Sequence, residues 1–188
     1  MTVVDNSRVP EILKKLEEID KYYIVVGVTE KSGSDKVKND SKSKNPITIL
    51  QLANIQEYGL NIKVTDRMRG YFLYKWGIKL ETNEIKIPER SFLRNGFDDK
   101  EDDLKNYGDL IYDVVNGDLS VKSFWETVGQ GAAQMIQSYL VNNVTSPPNT
   151  PFTIANKGGK ANPLVDTGKL SNSISYEIRS KWCLILKA

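Results

Sequence analysis

The sequence predicts one α+β domain: a mostly antiparallel sheet packed with helices, with a projecting β-hairpin arm and long loops. Three observations lead there. Helical and strand periodicities occur in separate blocks rather than in strict alternation, which argues against a parallel βαβ sheet. The chain has 188 residues, enough for one core and some extensions. Two long stretches, 29–46 and 144–163, carry almost no periodic apolar residues.

From Arg8 to Asp20 the apolar residues Val9, Ile12, Leu13, Leu16 and Ile19 form one helical stripe, with Ser7 as a candidate cap and Pro10 in the first turn. Tyr22 to Val28 (YYIVVGV) is β-branched and aromatic and predicts a largely buried strand. The segment 29–46 reads as a flexible basic loop: between 31 and 44 there are five Lys against two Asp. Ile47 to Tyr58 predicts a helix that Asn45 or Thr48 caps and Gly59 stops. Its apolar residues spread nearly all round, so several sides need cover. Ile62–Val64 and Ile85–Ile87 predict two strands, and the aromatic run MRGYFLYKW lies between them, so 60–88 reads as an arm with a short helical or extended tip.

Residues 90–116 predict helix, acidic at Asp98, Asp99, Glu101, Asp102 and Asp103, weakened at Gly108 and stopped at Gly117. Ser120 caps the clearest helix, 120–143. The segment 144–163 holds four of the seven prolines and reads as an irregular, extended strap. Residues 166–173 predict a short helix that Asp166 and Thr167 cap. A strand over Ile174, Tyr176 and Ile178 and a final strand over Trp182–Leu186 complete the chain.

Composition removes several function classes. The chain has no histidine, which excludes Ser-His-Asp and Cys-His nucleophiles and the mixed Cys/His zinc sites. The single cysteine, Cys183, excludes an intrachain disulfide. Consecutive acids at 98–103 do not converge as a catalytic pair and lack calcium-loop spacing. Gly158-Gly159-Lys160 lacks the phosphate-loop spacing. The expectation is a non-enzyme with no cofactor, no metal and no small-molecule substrate. A formal net charge of +2 gives no global attraction for nucleic acid or anionic lipid. No apolar run spans a bilayer, and Met1 to Pro10 is not a secretory signal, so synthesis in the cytoplasm is expected.

Contact surfaces remain. The arm is too narrow to bury Tyr71, Phe72, Leu73, Tyr74 and Trp76 within itself, and aromatics dominate interface anchors. In IKIPERSFLR, Phe92 and Leu93 can plug a core or a neighbour's groove, while Arg90 and Arg94 can reach carboxylates. These nine residues are the candidate partner interface.

The motifs occur in a definite order: LANIQEYG, NIKVTDRMRGYF, IKIPERSFLR, SPPNTPFTIANKG and NPLVDTGKLSNSISYEI. From about Tyr23 to Ile178 the chain resembles the bacteriophage virion-morphogenesis and tail-completion (neck) proteins. Their pattern is A-x-I-x-E-[FY]-G, then I-P-x-R-[PS]-F-[LM]-R, then P-L-[IV]-D-T-G-x-[LM]. Ser91 stands where many relatives have Pro. The resemblance implies a structural component of the virion neck or tail, made in the bacterial host. It implies a self-assembled ring, expected to be hexameric, next to a connector, tail terminator or tail tube, with incidental contact with genomic DNA possible. The alternative is a nucleic-acid-binding module that uses the basic loop and the aromatic arm.

Overall fold

The computed structural model describes residues 7–37 and 46–181. The elements are α1 (Val9–Asp20), β1 (Tyr22–Val28), α2 (Ile49–Tyr58), β2 (Leu60–Lys63), α3 (Asp66–Trp76), β3 (Glu84–Ile87), α4 (Arg94–Lys105), a 3-10 turn (Asn106–Asp109), α5 (Leu110–Asn116), α6 (Val121–Asn142), α7 (Pro151–Asn156), α8 (Lys169–Ser173) and β4 (Ile174–Ser180). The fold is α+β with two small antiparallel sheets. β1 pairs with β4 from Tyr22↔Ser180 to Val28↔Ile174, and β2 pairs with β3 from Leu60↔Ile87 to Lys63↔Glu84. The expected strand 182–186, and Cys183 with it, lies outside the described residues.

Local chemistry sets most of the boundaries. Thr48 and Gln51 form a reciprocal capping box at the start of α2. At its end Gly59, at φ 72°, turns the chain where a side chain would be strained. An added Cβ there would also meet the Ile87 carbonyl at 2.9 Å. Ser120 caps α6 by accepting the Ser123 N–H. The 90–116 helix is broken where Gly108 lowers helix propensity: α4 passes into the 3-10 turn and then α5, which ends at Gly117 with φ 89°.

The β1/β4 sheet lies on α6, and α4 packs beside the same helix. The main core gathers Ile49 and Ala53 from α2 and Ile136, Tyr139 and Leu140 from α6, together with Phe92, Leu164, Leu170 and Ile174. A second cluster joins Ile19 of α1 to Val114 of α5 and to Val121 and Phe124 of α6. There the Trp125 indole N–H donates to the Ile19 carbonyl (3.3 Å). The remainder of the α1 stripe is less covered: Val9, Leu13 and Leu16 are exposed.

Four expectations change. The segment 60–88 is a strand–helix–strand unit, β2–α3–β3, in place of a hairpin arm with a short tip. In the loop expected to be flexible over 29–46, residues 29–37 are held: Gly33 N–H donates to Thr29, Leu50 N–H to Gly33, Ile49 N–H to Asp35, and Val37 N–H to Ile47. The rest of that basic segment, 38–45, lies outside the described residues. The strap 144–163 contains α7, with the Thr150 hydroxyl accepting the Thr153 N–H and Pro151 in the first turn. Six residues are too few to show a helical period. Finally, Asp166 and Thr167 do not cap α8. Its N-cap is Gly168, at φ 78°, with no side-chain cap bond.

Two glycines on α6 set its packing. A Cβ at Gly129 would stand 2.3 Å from Cδ2 of Tyr176 on β4, and one at Gly131 would stand 1.8 Å from the Tyr107 hydroxyl oxygen. At Gly129 the obstacle is the body of a ring wedged between sheet and helix. At Gly131 it is the tip of a side chain that can swing. Gly129→Ala is therefore expected to destabilise the fold by about 1–3 kcal/mol, despite the helix-propensity gain of about 1 kcal/mol. Gly131→Ala is expected to have the smaller effect. Urea unfolding midpoints of the two variants check the order.

Candidate partner interface and its supporting carboxylate

The sequence motif IPERSFLR folds around a carboxylate from another motif. Glu57, in the last turn of α2, is buried. Its Oε1 accepts from the Ser91 hydroxyl (2.6 Å), the Arg94 N–H (3.1 Å) and Arg94 Nε (3.1 Å). Its Oε2 accepts from the N–H groups of Phe92 and Leu93, both at 2.9 Å. These amides lead into α4, whose own N-cap, Leu93, supplies no side-chain bond. Glu57 thus caps α4 from a different helix, with negative charge at the positive end of the helix dipole. Burial alone would push its carboxyl up. The hydrogen bonds from Ser91, from the Leu93 and Arg94 amides and from the Arg94 side chain outweigh that, and the group sits below the ordinary glutamate range.

Arg94 lies across the same junction, half exposed. It also donates to the Glu57 carbonyl (3.0 Å) and to Glu89 (2.6 Å), and stacks 4.8 Å from the Tyr58 ring centroid. Arg90 is buried and reaches no carboxylate among the described residues. Its guanidinium donates to the carbonyls of Pro147 (2.8 Å) and Pro148 (3.3 Å), to Gln56 Oε1 (3.2 Å) and to Asn149 Oδ1 (3.4 Å). Its N–H donates to the Gln56 carbonyl (2.7 Å). The turn after the cis Ser146–Pro147 bond is therefore held onto the end of α2. Further along, Lys157 Nζ donates to the carbonyls of Asn162, Pro163 and Val165. Asn162 Oδ1 accepts the N–H groups of Leu164 and Val165, which places Leu164 in the core.

The nine candidate residues thus divide. Phe92 is fully buried and Arg90 nearly so, each within its own chain, and neither presents a surface to a partner. Leu93 is half-buried against the core and Arg94 is engaged with Glu57 and Glu89. On α3, Phe72 and Trp76 pack with Phe152 of α7, with ring centroids 6.3 and 5.3 Å from it. Lys75 Nζ sits between the Tyr71 and Trp76 rings. Tyr71, Leu73 and Tyr74 face outward, Tyr74 at 93% exposure. Two positions were not singled out from sequence: Glu57, whose partners lie more than thirty residues away, and Phe152, inside a segment read as irregular. The acids of α4 from Asp98 to Asp103 point to solvent. No group of three His, Cys, Asp or Glu side chains among the described residues could hold a metal ion.

No family model matches the chain, and no curated protein or solved structure matches it.

Glu57→Gln keeps the size but brings an NH₂ group against amide donors and removes the charge. It is expected to destabilise the fold by about 3 kcal/mol. The pH dependence has a definite sign. Because the folded group binds its proton less tightly than the unfolded one, its contribution is fully present above the ordinary glutamate value. It is lost as pH falls through the lower, folded value. Urea titrations from neutral to acid pH are expected to show that loss in the native chain and a flatter profile in E57Q. Arg90→Lys keeps the charge but loses the fork that spans Pro147, Pro148 and Gln56. A loss of about 2 kcal/mol is expected by the same measurement.

Proposed function

We propose that this chain is a non-catalytic structural protein of a tailed-phage or phage-tail-like particle. It acts at the neck or tail-completion ring, where it joins or finishes head and tail. The carrying observation is the outward apolar face of α3, on which Tyr71, Leu73 and Tyr74 are exposed on a small domain whose core is already closed elsewhere. The resemblance gains support from the way its motifs meet. EYG and PERSFLR share Glu57, PERSFLR and SPPN share Arg90, and PLVDTGKL supplies Leu164 and Leu170 to the core beside α2. Motifs that interlock in this way act as one folding unit rather than as three independent short matches.

In this reading the protein forms a ring, sixfold in the particle, against a connector, tail terminator or tube. It works without a cofactor. No helix of the described residues is long and apolar enough to cross a membrane. A second reading, a nucleic-acid-binding module, rests on the basic residues that accompany the exposed tyrosines of α3, such as Arg67 and Lys79.

Two measurements separate these. Imaging of purified particles is expected to place the protein as a ring between head and tail; its absence from particles, or a single copy elsewhere, overturns the proposal. The double change Leu73→Ala with Tyr74→Ala is expected to block incorporation into particles, since a central aromatic anchor contributes roughly 2 kcal/mol or more. The isolated chain should keep its unfolding midpoint, because both side chains face outward. Normal incorporation, together with lost and salt-sensitive DNA binding, would favour the second reading.

A further inference from the structure

We infer that α3 of one copy docks into the groove between β1, α4 and α6 of a neighbouring copy, forming a head-to-tail contact. The inference rests on the self-assembly part of the reading above and names the surface that receives the arm.

The groove has a volume of about 600 Å³ and is lined by Ile24, Val26, Leu93, Phe97, Leu104 and Met135, with Asp98 at its side. Phe97 is half exposed there. Leu93 holds its place because Glu57 fixes the start of α4. The walls are apolar, but the helix that forms one of them is acidic. Across 94–118 there are eight acidic residues against three basic. The arm has the opposite character: across 60–88 there are six basic residues against three acidic, around an exposed apolar surface of Tyr71, Leu73 and Tyr74. One surface is aromatic with a basic surround, the other apolar with an acidic surround, and each suits the other in polarity and charge.

Within a single chain α3 and α4 do not form a packed pair. The match is therefore available only between copies. Because the two surfaces are different patches, the contact is heterologous: each copy uses its arm on one neighbour and its groove on the other, and the contact repeats until it closes a ring. A nucleic acid would satisfy the basic residues of the arm but would leave the groove uncovered. A second copy covers both. A few aromatic side chains cover about 150–250 Å² each, below the roughly 800 Å² per partner of a stable interface. A single contact is then weak, and trapping it covalently is the right measurement.

The full chain is prepared as Cys183→Ser, which removes its only cysteine. Tyr74→Cys is added to one preparation and Phe97→Cys to a second, differently tagged one. Both native side chains are at the surface, and Asp98→Cys serves as a second receptor position should Phe97→Cys disturb the fold. The mixture is treated with a short bismaleimide. The mixed cross-link, from the Tyr74→Cys chain to the differently tagged Phe97→Cys chain, is expected to exceed either same-position product by roughly tenfold. Its yield is expected to fall several-fold when sodium chloride screens the charges. Equal yields of all three products would mean random collision and overturn the inference. A dominant cross-link between two Tyr74→Cys chains would also overturn it, since that contact would be twofold. If DNA protects the Tyr74→Cys thiol and abolishes the mixed product, the arm is a nucleic-acid surface and the inference fails. The outcomes stay separable from the particle assignment. A ring found in the neck without this cross-link removes the contact alone, whereas the cross-link in a chain absent from particles removes only the particle assignment.

Discussion

The rest of the structure depends on one buried carboxylate. Glu57 gathers a hydroxyl, three amides and a guanidinium onto two oxygens at the point where α2 ends and α4 begins. A lone buried carboxylate would be strongly disfavoured; one that accepts this many donors is held ionised and in one orientation. Two helices more than thirty residues apart in sequence are thereby fixed end to end, and Phe92, carried on the same turn, is driven into the core at zero exposure. The charged network and the apolar plug act together. The amides that bind Glu57 aim the Phe92 side chain, and the packing of Phe92 excludes the water that would compete for the carboxylate.

A second layer of polar ties extends this junction to a segment with little regular structure. Arg90 grips the carbonyls of Pro147 and Pro148, and Lys157 grips those of Asn162, Pro163 and Val165. Proline-rich backbone has many carbonyls and few N–H groups, so it cannot satisfy itself by secondary structure. Cations with several fixed donors supply what it lacks. Each is partly desolvated, and burial pulls both below their ordinary basicity. Arginine keeps its charge under such burial, and a planar fork spans two adjacent carbonyls where an ammonium could not.

The parts of this fold that were legible in the sequence are those decided within a few residues. Thr48 with Gln51, Gly59, Ser120 and Gly117 mark helix ends through their own side chains or their lack of one, and β1 follows from a β-branched run. The parts that were not legible depend on distant partners. Phe92 has the composition of an exposed anchor or of a core plug, and only the remote Glu57 decides between them. Arg90 and Arg94 look alike in sequence, yet one binds carbonyls across 57 or more positions and the other binds carboxylates nearby. Asp166 and Thr167 match the chemistry of a cap, but Gly168 in the left-handed region takes that position and turns their side chains away from it. The helix α7 is short, and its signal is a single Thr-Pro step inside proline-rich sequence.

The candidate interface sorts by the same logic. Residues of the PERSFLR turn are consumed by the interior because their backbone amides have a carboxylate to meet. The aromatics of α3 have only Phe152, which satisfies Phe72 and Trp76 and leaves the other side of the helix uncovered. An amphipathic helix normally hides its apolar stripe, yet α3 places aromatic and aliphatic side chains on both sides. One side serves to attach it and the other has no use within the chain. Its attachment through rings rather than through backbone pairing leaves α3 less constrained than α4, whose first turn is pinned by Glu57. A rigid receiving groove and a more adaptable arm are a reasonable division of roles for a contact that must form between copies. The rigid half keeps the ordering entropy small, and the adaptable half tolerates the small differences in angle through which a ring closes.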